Sequence, residues 1–302
     1  MNETPTLALQ TLDHLSLLIV SGPDARTFLN SQLTRNVPTD ATASLYGYCS
    51  PKGRLLADGV LWAHGDAVSL VLARDLAAAI AKRLRMYVLR AKVTIEDVSA
   101  SQPLAGLVDP ASAPAMESWT AQHIDDVTWV RYPDVGTRRR YLRIGAGEGG
   151  IEATTWRWLD LQAGLPRIEV ATQDRFVPQM LNLEALGAVD FRKGCFPGQE
   201  IVARSQYLGK LKRRMTLASL DALAAVPLPG TDVWLPGERE ASGLVVNAER
   251  GPDGRIALLA ELPLALFAST ALRVGSADGP LLTIEPLPYD LPDNEVFVRP
   301  KL

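Results

Sequence analysis

Residues 191–214 read FRKGCFPGQEIVARSQYLGKLKRR, and the fold is decided by how this stretch is read. Gly194 and Gly198 let the backbone turn tightly or approach a ligand closely. Pro197 fixes φ and opens a helix well. GQEIVARSQ continues as that helix, with Ile201 and Val202 turned towards the core. Cys195 therefore sits just ahead of a helix N-terminus, with Arg192 and Lys193 beside it in sequence. The helix dipole and the cations both favour a thiolate, the pattern of a reactive or ligand-facing cysteine. A free cysteine is also often a small buried hydrophobe, and the stretch alone leaves both readings open. Glu200 and Arg204 are four apart in the favourable order and read either as a helical ion pair or as binding groups. Lys210, Lys212, Arg213 and Arg214 read as a solvated face or as a place that meets anionic groups such as phosphates.

Upstream, LSLLIV (15–20) reads as a buried strand. Gly22-Pro23-Asp24 then opens a helix that places Ala25, Phe28, Leu29 and Leu33 on one face. SLYGYC and GRLLADGVLWA are extended runs joined by a Pro-Gly turn at Ser50-Pro51-Lys52-Gly53. A turn at His64-Gly65-Asp66 leads into AVSLVLA. Asp75 is placed to cap the next helix, whose apolar face is Leu76, Ile80, Leu84 and Val88. KVTIEDV alternates as a strand. Strand, helix, three antiparallel strands, helix, strand is an α+β order rather than a doubly wound one. VTWVRY and RRYLRIG read as a further pair. A helix over about Thr155–Gln162 ends at Ala163-Gly164-Leu165-Pro166. Beyond about 217 the Pro- and Gly-rich texture and short strands (VWLP, SGLVVNAE, RIALLAEL, ALRVG) suggest a small barrel or sandwich. The expected domains are 1–216 and 217–302, with the boundary near 216–226.

The totals agree with such a division. A chain of 302 residues suggests about two domains. With 47% hydrophobic and 22% charged residues it has the balance of a folded protein. A net charge of -3 gives no global reason to expect nucleic acid or an anionic membrane. MNETP lacks the basic start of a secretory signal. No apolar run approaches the roughly 18 residues of a membrane span; ALLAELPLALFA is broken by Glu261 and Pro263. Two cysteines, Cys49 and Cys195, form no disulfide framework, so a cytoplasmic protein with free thiols is expected.

Other chemistries are poorly signalled. GAGEGG (145–150) matches a dinucleotide fingerprint, with Glu169 at a suitable distance, but it does not open a helix, so it reads as a surface loop. His14, His64 and His123 share no metal-ligand spacing with one another or with a cysteine, and no metal site is expected. Two thiols cannot supply the four ligands of an iron–sulfur cluster, and no G-x-S-x-G is present.

KGCFPGQEIVAR resembles the K-G-C-[YF]-x-G-Q-E signature of the YgfZ family, folate-binding proteins related to the aminomethyltransferase (T-protein) of the glycine cleavage system. IVSGPDARTFLNSQLTRNV resembles that family's opening segment, SPKGRLLAD its next block, and AGLPRIEVATQDRFVPQMLNLEALGAVDFRKGC the run into the cysteine. The resemblance implies two α+β lobes and a C-terminal β-barrel around a site for tetrahydrofolate or a derivative. It also implies a role in assembling or repairing iron–sulfur enzymes, including some that modify tRNA. Cys195 is the implied key thiol, with Lys193, Gly194, Gln199, Glu200 and Arg204 as its neighbours. Trp156 lines up with a tryptophan associated with folate, while Leu15 stands where the family has a second one. Lys210–Arg214 could then meet a folate glutamate tail. A true aminomethyltransferase needs an acidic residue near the folate ring, and Asp58 is the candidate for it. That related enzyme lacks the K-G-C signature.

Overall fold

The computed structural model describes residues 10–207, 211–221 and 224–292; the MNETP opening and Lys210 lie outside them. The first elements follow the order expected from the pattern: β1 (Leu15–Ser21), α1 (Ala25–Asn30), β2 (Ser44–Cys49), β3 (Leu55–His64), β4 (Ala67–Ala73), α2 (Arg74–Met86) and β5 (Thr94–Asp97). Their sheet has the order β2-β3-β4-β1-β5. β1 and β4 pair antiparallel in full register, from Leu15↔Ala73 to Ser21↔Ala67. Both are almost wholly buried, which is why they read as continuous apolar runs. α2 buries Leu76, Ile80 and Leu84, with Ala77 and Ala81 beside them; Val88 lies past its end. The cap expected at Asp75 is corrected: the N-cap is Ala73, with no side-chain cap bond, and Asp75 stands in the first turn. There its charge complements the dipole instead.

A second sheet follows, formed by β6 (Leu104–Val108), β7 (Ala121–Ile124), β8 (Val127–Val135) and β9 (Arg138–Ile144) in the order β6-β9-β8-β7. The VTWVRY and RRYLRI runs pair as expected, with Val130 opposite Leu142. α3 (Ala153–Gln162) follows and α4 (Gln199–Tyr207) lies further on. The third sheet comprises β10 (Arg213–Leu220), β11 (Asp232–Trp234), β12 (Gly243–Arg250), β13 (Ile256–Pro263), β14 (Arg273–Val274) and β15 (Thr283–Glu285). Its order is β14-β11-β12-β13-β10-β15. A bridge from Arg273 to Leu281, just ahead of β15, links the two edges in the manner of a barrel. Val245, Ile256, Leu258, Ala260 and Leu262 form its interior.

The chain divides into two compact units. One comprises Met1–Arg26, Val37–Ser44 and Val60–Trp156; the other comprises Thr27–Asn36, Leu45–Gly59 and Arg157–Leu302. Helices and strands are segregated rather than alternating, an α+β fold. No helix among the described residues is long and apolar enough to cross a membrane.

Candidate functional site

The second unit holds the Cys195 stretch as a turn clamped on three sides. The Lys193 ammonium reaches back to the end of α1, donating to the carbonyls of Asn30 at 2.5 Å and Leu33 at 2.7 Å. Carbonyls at a helix end have no partner within the helix, so a cation is well placed there. The same ammonium lies 4.9 Å from the centre of the buried Phe196 ring. At the other flank Gly198, with φ +78°, rests against the Ser50–Arg54 turn; a Cβ on it would fall 2.4 Å from the Ser50 carbonyl oxygen. The SPKGR and KGCFPGQE blocks are thus two turns packed backbone to backbone, and a side chain at 198 has no room.

Between these clamps Cys195 is exposed. That exposure removes the buried-hydrophobe reading of Cys195; the buried cysteine is Cys49, whose thiol burial pushes well above the ordinary range. Gly194 is exposed too, and a Cβ there would meet open space. Burial lowers Lys193 to a pKa of about 8, against opposing attraction from Asp190 and Cys195. Lys193 therefore acts from inside the turn, as its fastening.

α4 begins at Gln199, two residues after Pro197, because Gly198 supplies the left-handed conformation at its entry. Val202 is buried, as expected, but Ile201 is 38% exposed, a correction: it covers the Gly53 turn at the rim rather than entering the core. Glu200 and Arg204 are both exposed, and no ion pair joins them among the described residues. The basic run is not one face. Arg213 binds Glu261 through both carboxylate oxygens, at 2.5 and 2.8 Å, while Arg214 is buried and paired with Glu184 at 2.7 Å. Adjacent strand residues point to opposite faces, so the two cations serve separate pairs, and Lys212 is left exposed.

Asp58, on β3, belongs to a different constellation in the same unit. It is 3% exposed, and its carboxylate accepts the Ile168 N–H at 2.7 Å. Burial pushes its pKa up to about 7, opposed by the Ile168 bond and the Arg167 charge. Arg167 pairs with Glu169 at 3.2 Å and Asp160 at 3.6 Å, and its N–H donates to Asn247 at 2.8 Å. No hydrogen bond or ion pair among the described residues links Asp58 to residues 191–204. This network escapes a sequence reading because its members come from β3, α3, the turn after α3, and β12. Its one local signal is PRIE, two charges of opposite sign just beyond a helix stop.

In the first unit Trp156 is fully buried. Its ring packs edge-on to Tyr132 at 5.1 Å, beneath the Arg140 guanidinium at 4.7 Å and against Gly106. The indole N–H has no hydrogen-bond partner among the described residues. Leu15 is buried within β1. The GAGEGG loop ends before α3 opens at Ala153, and Arg143 lies against Gly147 and donates to the Glu148 carbonyl at 2.7 Å. His64 and His123, scattered in sequence, have ring centres 5.0 Å apart. Among the described residues no group of three or more His, Cys, Asp or Glu side chains could hold a metal ion.

No family model matches the chain. It is 32% identical over 311 residues to a tRNA-modifying protein YgfZ of Klebsiella pneumoniae, with 95% of this chain and 94% of the relative covered. Another YgfZ, of Edwardsiella ictaluri, is 32% identical over 314 residues, with 96% and 94% covered. The chain belongs to the YgfZ family. A solved structure of glycine cleavage system aminomethyltransferase T from Bartonella henselae covers 94% of this YgfZ-family chain and 86% of its own, with a TM-score of 0.69 at 16% identity. That likeness establishes a shared α+β fold and nothing of the chemistry.

Proposed function

We propose that this chain is a cytoplasmic folate-binding protein that supports assembly or repair of iron–sulfur enzymes, tRNA-modifying ones among them, with Cys195 as its working thiol. One observation carries the role of the thiol: Cys195 stands exposed on a turn fastened by Lys193, Phe196 and Gly198. The names of its relatives support the link to tRNA modification. Exposed Gly194 supports it further, since none of the described residues forbids a side chain there. A glycine without an internal reason fits a ligand or partner that approaches the backbone closely. Gln199, Glu200 and Arg204 are proposed as polar contacts of that ligand or partner. We also propose 1–216 as the folate-binding region and 217–302 as the barrel domain.

Tetrahydrofolate or a derivative is supported by a feature of the first unit. The buried indole N–H of Trp156 lacks a partner among the described residues, and buried donors are seldom left so. When bound, the folate supplies a carrier for one-carbon units. Cys195→Ala is expected to abolish support of iron–sulfur enzymes in cells lacking the endogenous protein, while the purified variant unfolds like the wild type. A variant with full activity overturns the reading.

A second reading, tetrahydrofolate-dependent aminomethyl or other one-carbon transfer, is favoured by Asp58 alone. It demands turnover and requires that Asp58→Asn abolish function. The first reading expects little effect of Asp58→Asn in the same cells, so the pair of variants separates the two.

A further inference from the structure

The end of α2 and the loop after it read KRLRMYVLRAK (82–92), five cations and no carboxylate in a chain whose net charge is -3. None of Lys82, Arg83, Arg85, Arg90 and Lys92 forms an ion pair among the described residues. Lys82, Arg85, Arg90 and Lys92 are exposed. Among them stand three large exposed apolar side chains: Met86 at 60%, Tyr87 at 41% and Leu89 at 86%. The Arg83 guanidinium lies 5.9 Å from the Tyr87 ring centre.

Structural duty accounts for part of this. Arg83 and Arg85 occupy the last turn, where cations complement the dipole, and Arg85 donates to the Ile95 carbonyl at 2.6 Å. Arg90 and Lys92 lie beyond the helix. The Lys92 N–H is held by Asp24 at 2.7 Å, which fixes the loop through its backbone, while the ammonium has no ion pair among the described residues. Nor does packing explain Leu89, the most exposed large hydrophobic described.

We propose that residues 82–92 form an RNA-binding surface, independent of the thiol and of folate. Unpaired cations spaced along a short arc suit phosphates. An exposed tyrosine flanked by Met and Leu suits the face of an unstacked base, and such interleaving of aromatic and basic groups marks single-strand contacts. An acidic protein would match the charges but gives no use for an exposed aromatic ring beside them. RNA uses both, and single-stranded loops are where RNA exposes its bases.

The test is fluorescence anisotropy of a labelled, unmodified tRNA transcript with the full-length protein at several KCl concentrations. Wild type, Arg90→Glu/Lys92→Glu and Tyr87→Ala are compared, with thermal unfolding as the check on folding. Saturable binding is expected. The charge reversal should weaken it at least tenfold and flatten the log–log salt slope by about 1.4, two contacts at about 0.7 each. Tyr87→Ala should weaken binding by roughly tenfold, consistent with loss of one stacked base, and leave the slope unchanged. Absence of saturable binding overturns the proposal, as does binding that both variants retain. Binding to vesicles of phosphatidylcholine and phosphatidylserine in place of tRNA, with the same dependence on the variants, also overturns it, in favour of a membrane surface. No folate enters the assay, so its outcome and that of the folate reading are separate.

Discussion

Asp58→Asn isolates the property that makes Asp58 chemically distinctive. The wild-type carboxyl has an ordinary pKa of 3.8 unfolded and about 7 folded, because burial penalises its charge. A group whose folded pKa is raised binds more protons folded than unfolded between these values, so stability falls as pH rises through that window. The contribution is complete below about pH 4 and lost above about pH 7. With those two pKa values, and about 1.4 kcal/mol per unit, wild type loses about 2–3 kcal/mol between pH 5 and pH 8 through this one group. Asparagine keeps an oxygen for the Ile168 N–H and does not titrate. Urea unfolding of the two proteins in parallel at pH 5, 6, 7 and 8 cancels the other titrating groups, which they share. The variant should gain on wild type by about 2–3 kcal/mol across the series, with most of the change between about pH 5 and pH 7. A difference that stays constant with pH would refute the reasoning and remove Asp58 as an acid–base group.

Lys193→Met should cost about 2–3 kcal/mol, because it removes the charge-assisted hydrogen bonds that the ammonium donates to the Asn30 and Leu33 carbonyls; urea unfolding measures it, and a loss under 1 kcal/mol would mean the clamp is dispensable. Gly198→Ala should cost at least about 1–2 kcal/mol from the left-handed backbone alone, and more from the contact with Ser50. Gly194→Ala should change stability by less than about 0.5 kcal/mol yet impair support of iron–sulfur enzymes in cells. Equal stability losses in the two glycine variants would contradict the division between a packing glycine and a binding one.

The elements legible in sequence are those whose pattern is local. β1, β4 and α2 announce themselves by a continuous apolar run or a four-residue period, because each buries its pattern against neighbours along its whole length. β10 is obscured by its own first residues. RRMTLASL opens with two arginines that read as a basic run, and only Glu261 and Glu184, 48 and 30 positions away, turn them into paired groups. The site shows the same divide. The signature turn and its glycines are visible as a motif, but the exposure of Cys195 depends on Lys193 reaching 163 residues back to Asn30. Nothing near Asp58 in sequence hints at a raised pKa, since its cause is burial in the folded chain, and the backbone N–H it accepts comes from Ile168, 110 positions later. The cations of 82–92 are plain in sequence. Their significance is not, because only the structure shows that none of the five forms an ion pair among the described residues.

The most direct test is an anaerobic calorimetric titration of the purified protein with tetrahydrofolate, with Cys195→Ala beside it. The account predicts saturable 1:1 binding by both proteins, with the thiol needed for a later step and not for affinity. Absence of binding by either would contradict the folate reading, and would mark Leu15, where the family has tryptophan, as the loss of a pterin contact.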